Sequence, residues 1–113
     1  MKDDLVILVE EHAQGPVVKL KGDAGIAGSQ TLEQAVTRLC ARSACRIVAD
    51  LSELNMVSSL AMGQLVAAHR AIARKGGDFR LAAVQPLVMS SFVHARLDQV
   101  LHIYPTVADA MTS

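Results

Sequence analysis

The chain has 113 residues, 51% of them hydrophobic and 19% charged, which is enough apolar material for a packed core and excludes global disorder. Eleven Lys and Arg residues balance eleven Asp and Glu, so there is no long-range field to draw the chain onto nucleic acid, and nucleic acid is not an expected partner. Aromatic residues make up only 3%, leaving Leu, Val, Ile, Ala and Met to build the core.

The opening MKDDLVILVEEHAQG lacks the basic start, long apolar region and small-residue cleavage site of a secretory signal. No apolar run approaches the roughly 18 residues that a membrane helix needs. Cys40 and Cys45 do not have CxxC spacing, and two cysteines make no disulfide framework; they read as reduced thiols of a cytoplasmic protein. The length suits a single domain over residues 1–113.

Taken in order, Leu5–Val9 and Pro16–Leu20 are apolar runs on either side of Gln14-Gly15, the pattern of a β-hairpin. Gly22 to Gly28 breaks regular structure, and Ser29 is placed to cap a helix over residues 30–42. That helix carries Leu32, Ala35, Val36, Leu39 and Cys40 on one face. A short strand from Arg46 to Asp50 follows, then a loop, LSELNMV, and then Ser58-Ser59 directly before a helix from Leu60 to Lys75. Ala61, Leu65, Ala68 and Ile72 share the buried face of that helix, and Gly76-Gly77 supplies its left-handed cap. Phe79–Val84 is a strand, Pro86 opens a helix over Leu87–Ala95, Val100–Tyr104 is a last strand, and Thr106 caps a terminal helix.

Strands alternating with helices imply an α/β fold. The expected sheet is mostly parallel and of about five strands, with an N-terminal antiparallel edge strand and about four helices.

Function is expected at the turn within RIVADLSELNMVSSLAMG, residues 46–63. A strand leads there through a serine-bearing loop into a helix N-terminus, where unpaired N–H groups and a partial positive charge meet an exposed hydroxyl. The turn has no GxSxG elbow and the chain no GxxxxGK loop, so catalysis and nucleotide binding are not indicated and no cofactor is expected. His12, His69, His94 and His102 lack metal-ligand spacing, so they read as surface or rim residues and no metal site is expected.

The run IVADLSELNMVSSLAMGQLVAAHRAIARKGGDFRLAAVQP resembles the STAS domain family, whose small stand-alone members are anti-anti-sigma factors, or anti-sigma factor antagonists. In that family an apolar strand leads to D-L-S, a short loop and D-S-S-G-L-G, followed by a helix ending in a basic Gly-Gly turn. The close LDQVLHIYPTVADAM and the early VVKLKGDAG are similar to the family's as well. Aligned through Asp50-Leu51-Ser52 and Gly63, the family's phosphoacceptor falls on Ser59, with Ser58 as second choice. Ser58, Leu60 and Ala61 then stand where the family has Asp, Ser and Gly, and Gly25 stands where an acid is usual.

The resemblance implies a STAS fold and a domain that is not an enzyme. It implies a partner that is an anti-sigma factor with serine kinase activity, and a contact surface of Asp23, Asp50, Met56, Val57, Ser58, Leu60 and Met62 around Ser59. The alternative is a constitutive STAS interaction module, such as the small cytosolic subunit of a lipid-transport ABC complex or a part of a signalling assembly. Beside these stand plainer roles: Ser58 as helix cap, Asp50 as acceptor for loop N–H groups, Met56, Met62 and Met89 as core filler, and Arg70, Arg74 and Lys75 as a solvated helix end.

Overall fold

The expected hairpin is present in the computed structural model, which describes residues 5–42 and 45–112. Strand β1 (Leu5–His12) pairs antiparallel with β2 (Gly15–Ala24), Leu5 opposite Gly22 and His12 opposite Gly15. Three parallel strands follow, β3 (Arg46–Val57), β4 (Asp78–Ala82) and β5 (His102–Tyr104), giving the sheet order β1-β2-β3-β4-β5. The crossovers are α1 (Ser29–Cys40), α2 (Ser59–Arg74) and α3 (Pro86–His94), and α4 (Val107–Thr112) closes the described chain. The expected fold class is therefore the observed one. No helix of the described residues is long and apolar enough to cross a membrane.

Helices α1 and α2 cover one face of the sheet. Leu32 and Leu39 of α1 and Ala61, Leu65, Ala68 and Ile72 of α2 join Ile47, Ala49, Leu51, Phe79 and Leu81 in the main core, together with Val88 and Phe92 of α3. A smaller cluster of Val17, Val48 and Ala82 receives Ala110 of α4. Two sheet arginines hold that short helix by its last carbonyls, which have no partner within the helix. Arg80 donates to Ala110 O at 2.9 Å and Arg46 to Met111 O at 2.6 Å. Arg80 also pairs with Asp78 at 2.8 Å and stacks 4.9 Å from the Tyr104 ring.

Three local readings are corrected. Residues 51–57 form the second half of β3 rather than a loop. The β2–β3 register shifts twice, between Lys19 and Lys21 and between Gly22 and Asp23. Leu51, Leu54 and Val57 therefore reach the core three residues apart, a spacing that bulges permit and that does not read as strand alternation. Ser29 does not cap α1: Gly28 holds that position without a side-chain bond, its carbonyl accepting from Leu32 N at 3.0 Å. The last strand is shorter than expected because Leu97–Gln99 makes a 3-10 turn and pairing begins at His102. In α2 and α4 the expected ends are found, with Gly76 at φ +82° and Asp109 N donating to Thr106 Oγ1 at 3.0 Å.

Glu53 bridges Lys19 at 2.5 Å and Lys21 at 3.6 Å across β2 and β3. The hydrogen bond from Lys19 holds the Glu53 carboxyl below the usual glutamate range and raises the Lys19 ammonium above its own. A lowered carboxylate pKa stabilises the fold above the unfolded value, and that contribution is lost as pH falls through the folded one. In an acid titration followed by NMR, Glu53 is expected to protonate at lower pH than an ordinary glutamate. Lys19→Ala should move it back up.

Candidate functional site

The sheet's parallel order puts the ends of β2, β3 and β4 on one side, and the loops leaving them collect there. Ser58 follows β3 in extended geometry (φ −83°, ψ 166°), and its N–H donates to Ala24 O at 2.8 Å, joining the ends of β2 and β3. Its hydroxyl accepts from Ala61 N at 3.1 Å, and its carbonyl from Met62 N at 2.9 Å. Ser58 is thus a helix N-cap, half-buried and with its oxygen committed. Ser58→Ala is expected to destabilise the fold by about 1 kcal/mol, read as a lower urea midpoint.

Ser59 is the first residue of α2 and is exposed. No carboxylate occupies the first turn of this helix, so its N-terminal partial positive charge is not neutralised locally. Leu60, next to Ser59 in the chain, and Met56, three residues before it near the end of β3, are 49% and 39% exposed. Gly25 sits against Met56, since a Cβ there would come within 3.8 Å of the Met56 sulfur. Asp23, half-buried, is the register partner of Met56.

Other expected contact residues fall elsewhere. Val57 belongs to the main core at 8% exposure, because the second bulge turns it inward, and it is not part of the surface. Met62 is half-buried and packs against that core, as filler would, whereas Met56 faces outward. Asp50 Oδ1 accepts from Ser52 N at 3.0 Å, the local structural role. The exposed face of α2 continues through Gly63, Ala67, Arg70 and Arg74. Lys75 is not simply solvated: its ammonium donates to the carbonyls of Cys40 and Arg42 at the end of α1. His12, His94 and His102 are exposed, and half-buried His69 meets His102 edge-on at 5.0 Å between ring centroids. Among the described residues no group of three His, Cys, Asp or Glu is placed to hold a metal.

Two surface residues escape the sequence reading. Ile26, 77% exposed, lies in the β2–α1 turn, and Leu87, 68% exposed, lies in the first turn of α3. Each follows a parallel strand, so each emerges at the same end of the sheet as Ser59. The available signal was an isolated apolar residue in a glycine-rich turn, and one off the Val88–Phe92 face of its helix.

A family model described as the STAS domain matches residues 7–110. The chain belongs to the STAS domain family. Among its relatives is an anti-sigma F factor antagonist of Paenibacillus polymyxa, 26% identical, with 96% of this chain and 94% of the relative aligned. A crystal structure of an anti-sigma factor antagonist from Mycobacterium paratuberculosis superposes with a TM-score of 0.90 at 29% identity, covering 99% of this chain and 95% of that one. SpoIIAA, an anti-sigma factor antagonist, shares the fold in an unphosphorylated form and, as the Bacillus cell-fate determinant, in a phosphorylated form. The unphosphorylated form has a TM-score of 0.76 at 17% identity, over 93% of this chain and 92% of that one. The phosphorylated form has 0.69 at 16%, over 93% and 96%. In this STAS domain the serine turn, the early glycine turn and the β4–α3 connection together make the end of the sheet that carries Ser59.

Proposed function

We propose that this STAS domain is an anti-sigma factor antagonist acting in the cytoplasm. It docks through the start of α2 onto an anti-sigma factor with serine kinase activity, and phosphorylation of Ser59 releases it. It works by binding and turns over no substrate. The observation that carries this reading is the division of labour between the two serines. Ser58 Oγ is engaged as the cap, and Ser59 stands exposed one residue further on, next to Leu60 and three residues after Met56.

The chemistry follows from charge. A phosphate on Ser59 adds about −1.5 to −2 charges at pH 7. The first turn of α2 contains no acid to oppose it, and the helix N-terminus favours a negative charge by about 0.3–1 kcal/mol. The domain therefore keeps its fold. A partner surface fitted to Met56, Ile26 and Leu60 gains nothing comparable and must desolvate the new charge, so affinity falls. The switch needs no rearrangement of the sheet.

Incubation with ATP and the cognate anti-sigma kinase is expected to add one phosphate, and Ser59→Ala to abolish it. Labelling of Ser59→Ala as strong as that of wild type would overturn the assignment. Affinity capture that returns an ATP-binding transporter subunit and no anti-sigma factor would make the chain an interaction module of another assembly.

A further inference from the structure

A groove of about 280 Å³ runs between α1 and the hairpin strands β1 and β2. No residue of α2 lines it, so it is separate from the serine turn. Its apolar lining is made by Ile7, Val9, Val18, Ala35 and Leu39, and Thr31, Gln34, Arg38 and Arg42 of the α1 side supply its polar groups. The gap has a sequence cause: Ala35 stands on the sheet-facing side of α1 where a larger side chain would fill the space, and the chain has few aromatics to do so. Four of these floor residues, Ile7, Val18, Ala35 and Leu39, also wall a small void of about 10 Å³ beneath, whose other sides are wholly apolar. The wall that groove and void share is hydrocarbon throughout, so an apolar ligand rather than water is the compatible filler of the groove floor.

The lip supplies the second half of the pattern. Arg38 lines the groove and is exposed, and among the described residues its guanidinium has no ion-pair or hydrogen-bond partner. The other guanidinium at the lip, Arg42, is committed to Glu11 through two contacts at 2.8 and 3.2 Å. An apolar trough with one uncommitted guanidinium at its mouth is complementary to a chain that is hydrocarbon for its length and carboxylate at one end. The volume lies just below the roughly 300–1,000 Å³ of typical small-molecule sites, which selects a medium-length chain.

We propose that this groove binds a free medium-chain monocarboxylate, its carboxylate on Arg38 and its alkyl chain along Ile7, Val9, Val18, Ala35 and Leu39. The proposal is independent of the serine switch.

The test uses the whole chain and sodium decanoate below its micelle concentration, with methyl NMR of Ile7, Val9 and Leu39 as readout. Saturable shifts confined to these methyls are expected. Each methylene removed from the ligand should weaken binding about fourfold. Arg38→Ala should weaken it tenfold or more, and Arg38→Lys should recover part of the loss. Ala35→Leu should abolish it while the protein still unfolds cooperatively. Arg38 is exposed, so its variants report on binding without disturbing the core. Absence of saturable shifts, equal binding of decanol, or equal binding by Arg38→Ala would each overturn the proposal.

Discussion

A Ser59→Glu variant is expected to bind the anti-sigma partner at least tenfold more weakly than the wild type and to unfold at the same or slightly higher urea concentration. The two halves of this expectation have separate causes. Position 59 is the first of α2 and carries no buried contact, so a carboxylate there costs no packing and gains about 0.3–1 kcal/mol from the helix end. At the docking face proposed above, the same carboxylate would have to be desolvated against a surface fitted to a hydroxyl. A penalty of about 1.4 kcal/mol already gives tenfold, and the carboxylate carries less charge than a phosphate, so tenfold is the lower bound for the modified protein. Isothermal titration against the purified partner, with urea unfolding alongside, checks both halves. Ser58→Ala should show the opposite pattern, with stability lost through the missing cap and affinity largely kept. Undiminished binding by Ser59→Glu would move the interface away from the start of α2.

Much of this architecture was legible because its signals are local. The hairpin is two apolar runs around Gln14-Gly15, and β1 and β2 pair without a break. The face of α2 is read from Ala61, Leu65, Ala68 and Ile72, all buried as the helical period requires. Ser58 as cap and Asp50 as acceptor for Ser52 N follow from side chains bonding to backbone a few residues away. The misreadings share a different origin. The second half of β3 owes its extended state to β2, and its core residues follow two bulges whose positions depend on that partner strand. The same dependence hid the inward turn of Val57, which by sequence proximity belonged with Met56. Ile26 and Leu87 gain meaning only when the parallel sheet brings their loops to the end that carries Ser59. The α1–β1 groove is likewise a property of packing, since nothing within α1 says that Ala35 will face a gap.

Two glycine-to-alanine changes should move stability in opposite directions. Gly15→Ala is expected to lower it by about 3 kcal/mol or more, from backbone strain and overpacking together. Gly15 has φ +139°, and an added Cβ would lie 1.8 Å from the carbonyl oxygen of Arg46. That oxygen belongs to the start of β3, and Arg46 N donates to Gln14 O at 3.2 Å, so the clash can be relieved only by prying the hairpin turn off the central strand. Gly63→Ala should instead raise stability by about 1 kcal/mol, because Gly63 lies within α2 and nothing stands within 4 Å of the added carbon. Urea midpoints of the two variants against wild type test the pair. The sign at position 63 also bears on function. A helical glycine that no neighbour requires lowers the fold's stability, and on the proposed docking face it leaves a low surface one turn from Ser59 and Leu60. Gly63→Leu should therefore remain folded yet bind the anti-sigma partner tenfold or more weakly, as steric exclusion at a docking face demands. Wild-type affinity in that variant would mean that the partner sits on another surface.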